Sequence, residues 1–202
     1  FSLYTEYEQD GGYLGASILG GIDYFRVTRH IPFAGRTAKN SHRGYDVAAH
    51  LEGGFNRAIR RITVQPFFIL DTSYLHQQGY TEEGAGSLDL IVHPKNELWF
   101  RVQEGLRFKN QTQFTKSCLI SSLYLSCVSE TPVHPQNYRA SLIGQQGTFT
   151  VRSFRKVSNR FAPGIDLSWK IKPCMTLSMD YSAEINGQFA EQKANFQFDW
   201  GF

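Results

Sequence analysis

The sequence predicts an all-β fold, an antiparallel transmembrane β-barrel of the outer-membrane type, and three observations lead to this prediction. The last nine residues alternate between apolar, mostly aromatic, and polar side chains, as expected for a strand with two different faces. Segments upstream repeat this alternation in pieces of about ten residues, with turn-forming residues between them. The connections between these pieces alternate between short turns and longer loops, which is typical of outer-membrane barrels.

The composition favours strands over helices. The 202 residues include 16 Phe and 10 Tyr, which suit strands and aromatic girdles, and 18 Gly, which suit tight turns. The mean hydropathy is −0.35, a value compatible with a barrel because half of each strand faces a polar interior. No apolar stretch approaches the roughly 20 residues that a membrane-spanning helix needs. A bundle of membrane helices is therefore excluded.

Charge and cysteine content argue against other classes. The formal net charge of +3 comes from interleaved cations and anions, a pattern that gives no indication of nucleic-acid binding. Cys118 and Cys127 fall on one predicted strand about 30 Å apart, too far for a disulfide, and Cys174 makes the count odd. No cysteine pair has the spacing of a metal finger. We predict no metal site and no cofactor.

Strands, turns and loops can be traced in order from this alternation. The predicted strands are residues 1–7, 14–24, 45–55, 64–74, 88–108 with a break near Pro94, 118–128, 165–171, 177–185 and 194–202. Short turns are predicted near residues 8–12, 56–58, 109–112, 172–174 and 186–187, and long loops near 31–42, 76–86 and 130–160, the last with a strand extension at 148–151. A bulge or weak pairing is expected at Pro66, which lacks an amide hydrogen. Because short turns and long loops alternate along the chain, the C-terminus falls on the short-turn side, which is periplasmic in such barrels.

The start of the sequence predicts a longer precursor. The chain shows no signal peptide, and Phe1 falls inside a predicted strand. We therefore expect a fragment of about eight or nine strands that does not close. Its edges are expected near residues 1–25 and 190–202.

Three groups of residues resemble a known family in their order and spacing. They are Pro66, Leu70 and Tyr74 at intervals of four, the pattern Gly-Tyr-x-Glu-x-Gly-x-x-Ser-Leu-x-Leu-x-Val at residues 79–92, and Glu-Gly-Leu-Arg-Phe at residues 104–108. With them the chain resembles the autotransporter β-domain, the C-terminal translocator of type V secretion. The resemblance implies a barrel of roughly twelve strands, an allowed even number, with a helix through the pore and a passenger domain upstream. Residues 1–202 are then the C-terminal part of the translocator, without the first strands, the helix and the passenger.

The resemblance implies a function without catalysis. The expected protein is an anchor in the outer membrane of a Gram-negative-type bacterium that exports and displays its passenger. Its expected partners are membrane lipid, the barrel-assembly machinery and the covalently linked passenger. Three alternatives are a porin-like or other small outer-membrane barrel, an outer-membrane barrel enzyme, and a soluble lipocalin-like carrier with its apolar rows turned inward.

Two sets of residues are the candidate sites. The C-terminal aromatic row is predicted to face lipid and to be read by the assembly machinery; it consists of Phe196, Phe198, Trp200 and Phe202. A charged row is predicted to face the lumen, where it could hold a plug, tune a pore or simply pair across a wet interior; it consists of Arg101, Arg107, Asp166, Lys170, Asp180 and Glu184. The histidines form no recognisable group with a nucleophile, so no catalytic residue is predicted.

Overall fold

The computed structural model describes residues 1–133, 137–152 and 157–201, and these residues are organised almost entirely as strands. In chain order the strands are β1 (Ser2–Gln9), β2 (Gly12–Ile31), β3 (Arg36–Phe55), β4 (Arg57–Ile59), β5 (Ile62–Gln77), β6 (Tyr80–Thr81), β7 (Leu90–Val92), β8 (Lys95–Gln113), β9 (Cys118–Pro132), β10 (Asn137–Leu142), β11 (Phe149–Arg152), β12 (Ser158–Lys172), β13 (Met175–Asn186) and β14 (Phe189–Trp200). Two short 3₁₀ turns cover Pro32–Ala34 and Gly86–Leu88.

Nine of these strands form one antiparallel half-barrel, which confirms the predicted fold class and strand number. The order in the sheet is β1-β2-β3-β5-β8-β9-β12-β13-β14, so strands that follow each other in this series are neighbours. The short β4 continues β3 past Asn56 and pairs with the start of β5. Short turns join most neighbours in this order, as antiparallel pairing allows, whereas longer segments join β5 to β8 and β9 to β12.

The sheet has two chemically different faces, which follow from the register of its strands. Residues directly opposite each other in an antiparallel pair lie on the same face. Asp166 is opposite Asp180, which is opposite Asn195, whereas Leu167 is opposite Met179 and then Phe196. We call the face with Asp166 the polar face and the face with Leu167 the apolar face. The ladders from β1 to β12 contain no register shift, so both faces can be followed across the half-barrel.

The turns at one end of the half-barrel are all short, and we call this the short-turn end. They comprise residues 10–11, 60–61, 114–117 and 173–174. The predicted turns near 8–12 and 172–174 are confirmed. The predicted turns at 56–58 and 109–112 are wrong, because the strands continue to Ile59 and Gln113. At Asn56 the amide donates a hydrogen bond to the Gly11 carbonyl of the neighbouring turn at 2.7 Å, which keeps this turn-favouring residue in an extended chain.

The opposite end, the long-loop end, differs from the prediction in two places. Residues 31–42 are not a loop, since β2 and β3 stay paired up to Ile31 and Arg36 and a 3₁₀ turn joins them. Residues 88–92 do not begin a barrel strand. Instead β7 pairs with β6 and β10, and β10 with β11, so that the two long loops together build a second sheet of four strands. The predicted loop at 130–160 is correct in place but contains β10 and β11, and its residues 153–156 lie outside the described residues.

Pro66 interrupts pairing on one side only. Toward β8 the register is continuous through the Pro66–Leu106 pair. Toward β3 the ladder stops at Gly54 and Phe67 and resumes at Arg57 and Val64. The predicted weak pairing is therefore present on the β3 side, where the missing amide hydrogen would otherwise be needed.

The half-barrel is open at both edges within the described residues. There β1 pairs with β2 and β14 pairs with β13, and no ladder joins β1 to β14. This arrangement matches the expectation that the strands do not close. In the same residues, no helix is long and apolar enough to span a membrane.

Candidate functional site: the charged polar face

The polar face is concave, as one long-range contact shows. Arg101 on β8 forms an ion pair with Glu184 on β13, although β9 and β12 lie between them. Strands are spaced by about 4.8 Å, so a flat sheet would separate the two backbones by roughly 14 Å. Curvature toward the polar face shortens this gap to the reach of two side chains. The polar face is therefore the inner face of the half-barrel.

Arg101 and Glu184 belong to a network of charges on this inner face. The Arg160 guanidinium donates to Glu184 at 2.6 Å and to Glu130 at 2.7 Å. On the other side, Arg101 Nη1 lies 3.6 Å from Asp71 Oδ2. The network thus alternates acid and base across β5, β8, β9, β12 and β13. Each charge is partly shielded from water, and the alternation compensates the cost of that shielding.

A histidine extends the network toward β3. His50 Nδ1 lies 2.6 Å from Asp71 Oδ1, and its Nε2 lies 3.6 Å from Glu52. Ser17 is directly opposite His50 in the β2–β3 ladder. No serine–histidine hydrogen bond is present among the described residues, and in the same residues no group of three or more His, Cys, Asp or Glu could hold a metal ion.

The structure places all six residues of the predicted charged row on the polar face but connects only some of them. Asp166 accepts a hydrogen bond from Ser122 and lies opposite Asp180, so these carboxylates share the lower part of the face. Lys170 lies nearest the short-turn end, opposite Thr176.

Among the residues that the structure describes, Arg107 has an aromatic environment instead of a carboxylate partner. Its guanidinium lies 5.1 Å from the centroid of Phe67 and 5.6 Å from that of Tyr124, both within cation–π range. It also donates to Gln65 at 3.2 Å. The Tyr124 ring lies over Gly164, where a Cβ would fall 2.0 Å from a ring carbon, so only glycine fits beneath it.

Sequence reasoning missed Asp71, Glu130 and Arg160 of the network. Asp71 carried an adequate signal, because it lies in a predicted strand between Leu70 and Thr72, and its face follows from the alternation. For Glu130 and Arg160 the sequence pattern predicts a loop instead. Only the pairing of β9 with β12, which puts Glu130 opposite Ser158, shows that both strands extend that far.

The C-terminal aromatic row lies on the apolar face of the edge strand β14. Phe196 is 70% exposed, Phe198 52% and Trp200 66%. The Phe198 and Trp200 rings meet edge to face at 6.4 Å. Phe202, the last member of the predicted row, lies outside the described residues. All three cysteines are free thiols.

The second sheet is clasped to the β2–β3 hairpin at the long-loop end. Glu82 is only 4% exposed and receives hydrogen bonds from Arg29 Nε at 3.0 Å and from the Leu90 amide at 3.0 Å. Arg29 also donates to the Leu88 carbonyl at 2.7 Å. The hydrogen bond to Glu82 raises the pKa of Arg29 above its ordinary value. Beside this clasp a small apolar core is buried; it consists of Ile31, Ala38 and Ala85.

A three-ring stack joins the second sheet to the same hairpin. The His42 ring lies between Phe25 at 5.0 Å and Tyr80 at 4.3 Å, with interplanar angles of 20° and 14°. His42 Nδ1 also contacts the side-chain oxygen of Asn40 at 2.7 Å. Burial lowers the pKa of His42 below 6.5, because the packed environment disfavours the charged ring.

The model of the family described as "Autotransporter beta-domain" matches residues 1–182. The chain belongs to the autotransporter β-domain family. A comparison with curated proteins found no match. Membership confirms the resemblance inferred from the sequence and gives the chain a general role as an outer-membrane β-barrel translocator. The family is one of translocators and anchors and is not typically catalytic. The match ends before β14, so it does not bear on the C-terminal aromatic row.

Proposed function

We propose that this autotransporter β-domain anchors its protein in the outer membrane and exports and displays a passenger domain linked upstream of it. The observation that carries the proposal is the half-barrel with an apolar outer face and a charged, concave inner face. An apolar exterior suits lipid, and a polar interior suits a water-filled or plugged lumen. The inner network of Arg101, Arg160 and Glu184 would then line the passage or contact a segment lying within it.

Residues 1–202 are, in this proposal, the C-terminal part of a larger barrel. Two strand edges with backbone groups available for pairing, β1 and β14, support it, since an outer-membrane barrel has no free edge. Further strands, a helix in the lumen and the passenger would complete the protein. The apolar faces of β12 to β14, with Leu167, Met179 and Phe196, would contact outer-membrane lipid directly.

The short-turn end would face the periplasm, and the C-terminus with it. Outer-membrane barrels have short periplasmic turns and longer external loops. The Gly201 amide donates to the Cys174 carbonyl at 2.9 Å, so the end of β14 lies beside the β12–β13 turn. The C-terminal aromatic row would then be accessible to the barrel-assembly machinery, which could add a strand to the β14 edge.

The proposal is tested with the complete protein that contains this chain, produced in cells with a protease site in the passenger. Protease added to intact cells should release the passenger, and a variant lacking β13 and β14 should retain it inside. Detection of the folded barrel in the outer membrane with no exposed passenger would favour a porin-like role instead. The membrane fraction and the released fraction are quantified from the same cells.

A further inference from the structure

On β2 the length of the apolar face along the membrane normal can be measured from the side chains of its outer row. Its outer row runs from Leu14 to Tyr24 through residues that are apolar or small, and the charged Arg26 follows. Ten residues at about 3.3 Å each, tilted by about 40°, rise roughly 25 Å, which is the height of the apolar band of an outer-membrane barrel. The position of Tyr24 thus corresponds to the upper boundary of the hydrocarbon layer.

Aromatic residues on the neighbouring strands continue this boundary. Tyr45 lies opposite Ile22, two residues below Tyr24, and Tyr74 lies opposite Val47, two residues below Tyr45. Phe100 continues the series, because it lies opposite Thr72, two residues below Tyr74. Strands of a barrel are tilted, so a girdle at constant height must shift along each successive strand. These four rings therefore form one girdle.

Two arginines lie directly beyond the girdle on the outer face of the β2–β3 hairpin. Arg43 is opposite Tyr24, and its guanidinium lies 5.3 Å from the centroid of that ring. Arg26 is the next outer residue on β2, diagonal to Arg43. Both are exposed, and within the described part of the chain neither forms an ion pair with a carboxylate. By contrast, Arg29 on the opposite face of the same hairpin is bound to Glu82.

The height of the two arginines matches the headgroup layer. Arg26 lies two residues beyond Tyr24, and Arg43 two residues beyond Tyr45, which is about 5 Å above the girdle for a tilted strand. The polar layer on each side of a bilayer is about 5–8 Å thick. An open hollow of about 840 Å³ adjoins this surface; its lining includes Arg26, Lys39 and Glu83.

We propose that Arg26 and Arg43 form a binding site for the phosphate groups of an anionic glycolipid in the outer leaflet. This inference rests on the proposed function, which places the long-loop end outside the cell. Two guanidinium groups on diagonal positions present paired N–H donors, and phosphate is the acceptor that such forks bind best. The contact between the Arg43 guanidinium and the Tyr24 ring restricts the arginine side chain, which lowers the entropy lost on binding. Lys39 lies further out but opposite Glu83 in an isolated β-bridge, so these two charges offset each other and the site depends on the two arginines.

The test measures glycolipid binding to the complete protein in detergent by native mass spectrometry. The probe is a diphosphoryl disaccharide glycolipid, and its dephosphorylated form and inorganic phosphate serve as comparison ligands. The R26Q/R43Q variant should bind the diphosphoryl form roughly 10-fold more weakly. The R60Q/R61Q variant, which removes the same charge at the short-turn end, should bind like the wild type. The R26K/R43K variant keeps the charge but loses the forks and should bind with intermediate affinity.

Several outcomes would overturn the proposal. They are equal binding by R26Q/R43Q and wild type, equal binding of the dephosphorylated glycolipid, and an equal loss in R60Q/R61Q. Displacement of the glycolipid by millimolar inorganic phosphate would show a site for small anions rather than for lipid. Heat-dependent gel migration verifies that each variant is folded. Passenger display is scored separately. Normal display together with unchanged lipid binding in R26Q/R43Q would refute only this inference. Absence of passenger display by the wild-type protein would refute the proposed function.

Discussion

Arg101 and Glu184 form an ion pair across two intervening strands. The contact exists because the sheet curves, so the pair reports on the curvature of the inner face. Arg160 shares the same carboxylate, and Glu184 is 17% exposed. Removing one member of such a shielded network leaves its partners with uncompensated charge.

The first prediction concerns this network. We expect E184Q to lower the free energy of unfolding by about 1–3 kcal/mol, because Arg101 and Arg160 both lose a charged acceptor. Denaturant unfolding of the complete protein in lipid vesicles measures this. The matched control is E191Q on the same face, where the exposed Glu191–Lys193 pair should contribute under about 1 kcal/mol. Equal effects of the two substitutions would contradict a shielded network.

The second prediction distinguishes the two faces of β13. We expect M179R to destabilise the protein by about 2–4 kcal/mol, because it puts a cation into mid-membrane lipid. The adjacent S178R projects into the polar interior and should cost far less. Both variants are compared by the same unfolding measurement in vesicles. If arginine is tolerated equally at these neighbouring positions, the assignment of lipid and lumen faces is wrong.

The third prediction addresses the clasp between the second sheet and the hairpin. We expect E82Q to leave overall stability nearly unchanged but to increase amide exchange in residues 80–92, because Arg29 loses its charged partner. Hydrogen exchange read by mass spectrometry resolves this segment. E83Q is the control, since Glu83 is exposed and contacts Lys39 through main-chain hydrogen bonds. Unchanged exchange in E82Q would mean that main-chain pairing alone holds the second sheet.

The fourth prediction is a pH dependence at His42. Its pKa is lower in the packed state than in the released state, so the released state binds the proton more readily. Attachment of residues 78–94 should therefore weaken as the pH falls below about 6.5. Hydrogen exchange corrected for its intrinsic pH dependence measures this, and H42Q should remove the effect. The same pH response in H42Q would assign it to another group.

The fifth prediction concerns assembly through the C-terminal aromatic row. In the complete protein, we expect deletion of Phe202 to reduce the amount inserted in cells more than it reduces the stability of barrels refolded in micelles. The physical reason is that the unpaired edge of β14 and its exposed aromatic face favour aggregation. A binding partner is therefore needed until the first strand of the barrel pairs with β14. F198A is the comparison, because Phe198 packs against Trp200 and should affect both quantities. If deletion of Phe202 lowers the amount inserted and the stability of the refolded barrel equally, the aromatic row contributes only packing and is not recognised during assembly.

The alternation of side chains along each strand was sufficient to predict the faces of the sheet. Asp166 and Asp180 share one face and Leu167 and Met179 the other, as expected from the sequence. This information is local, because a strand turns its side chains to alternate faces whatever its neighbours are. The number of half-barrel strands could be predicted from the same signal, although two of the turns between them lie a few residues beyond their predicted positions. The functions assigned to the charged row and to the aromatic row remain predictions.

The ends of the strands and the second sheet depended on tertiary structure. Leu90–Val92 looks like the start of a barrel strand, yet it pairs with Ala140–Leu142, about fifty residues away. Arg160 joins the inner network because β12 pairs with β9 from Ser158 onward, although the alternation of side chains predicts a strand only from residue 165. A backbone amide pairs with whichever strand lies beside it, and this neighbour is fixed by the whole assembly. Sequence periodicity therefore determined which way side chains point, and the fold decided which of them meet.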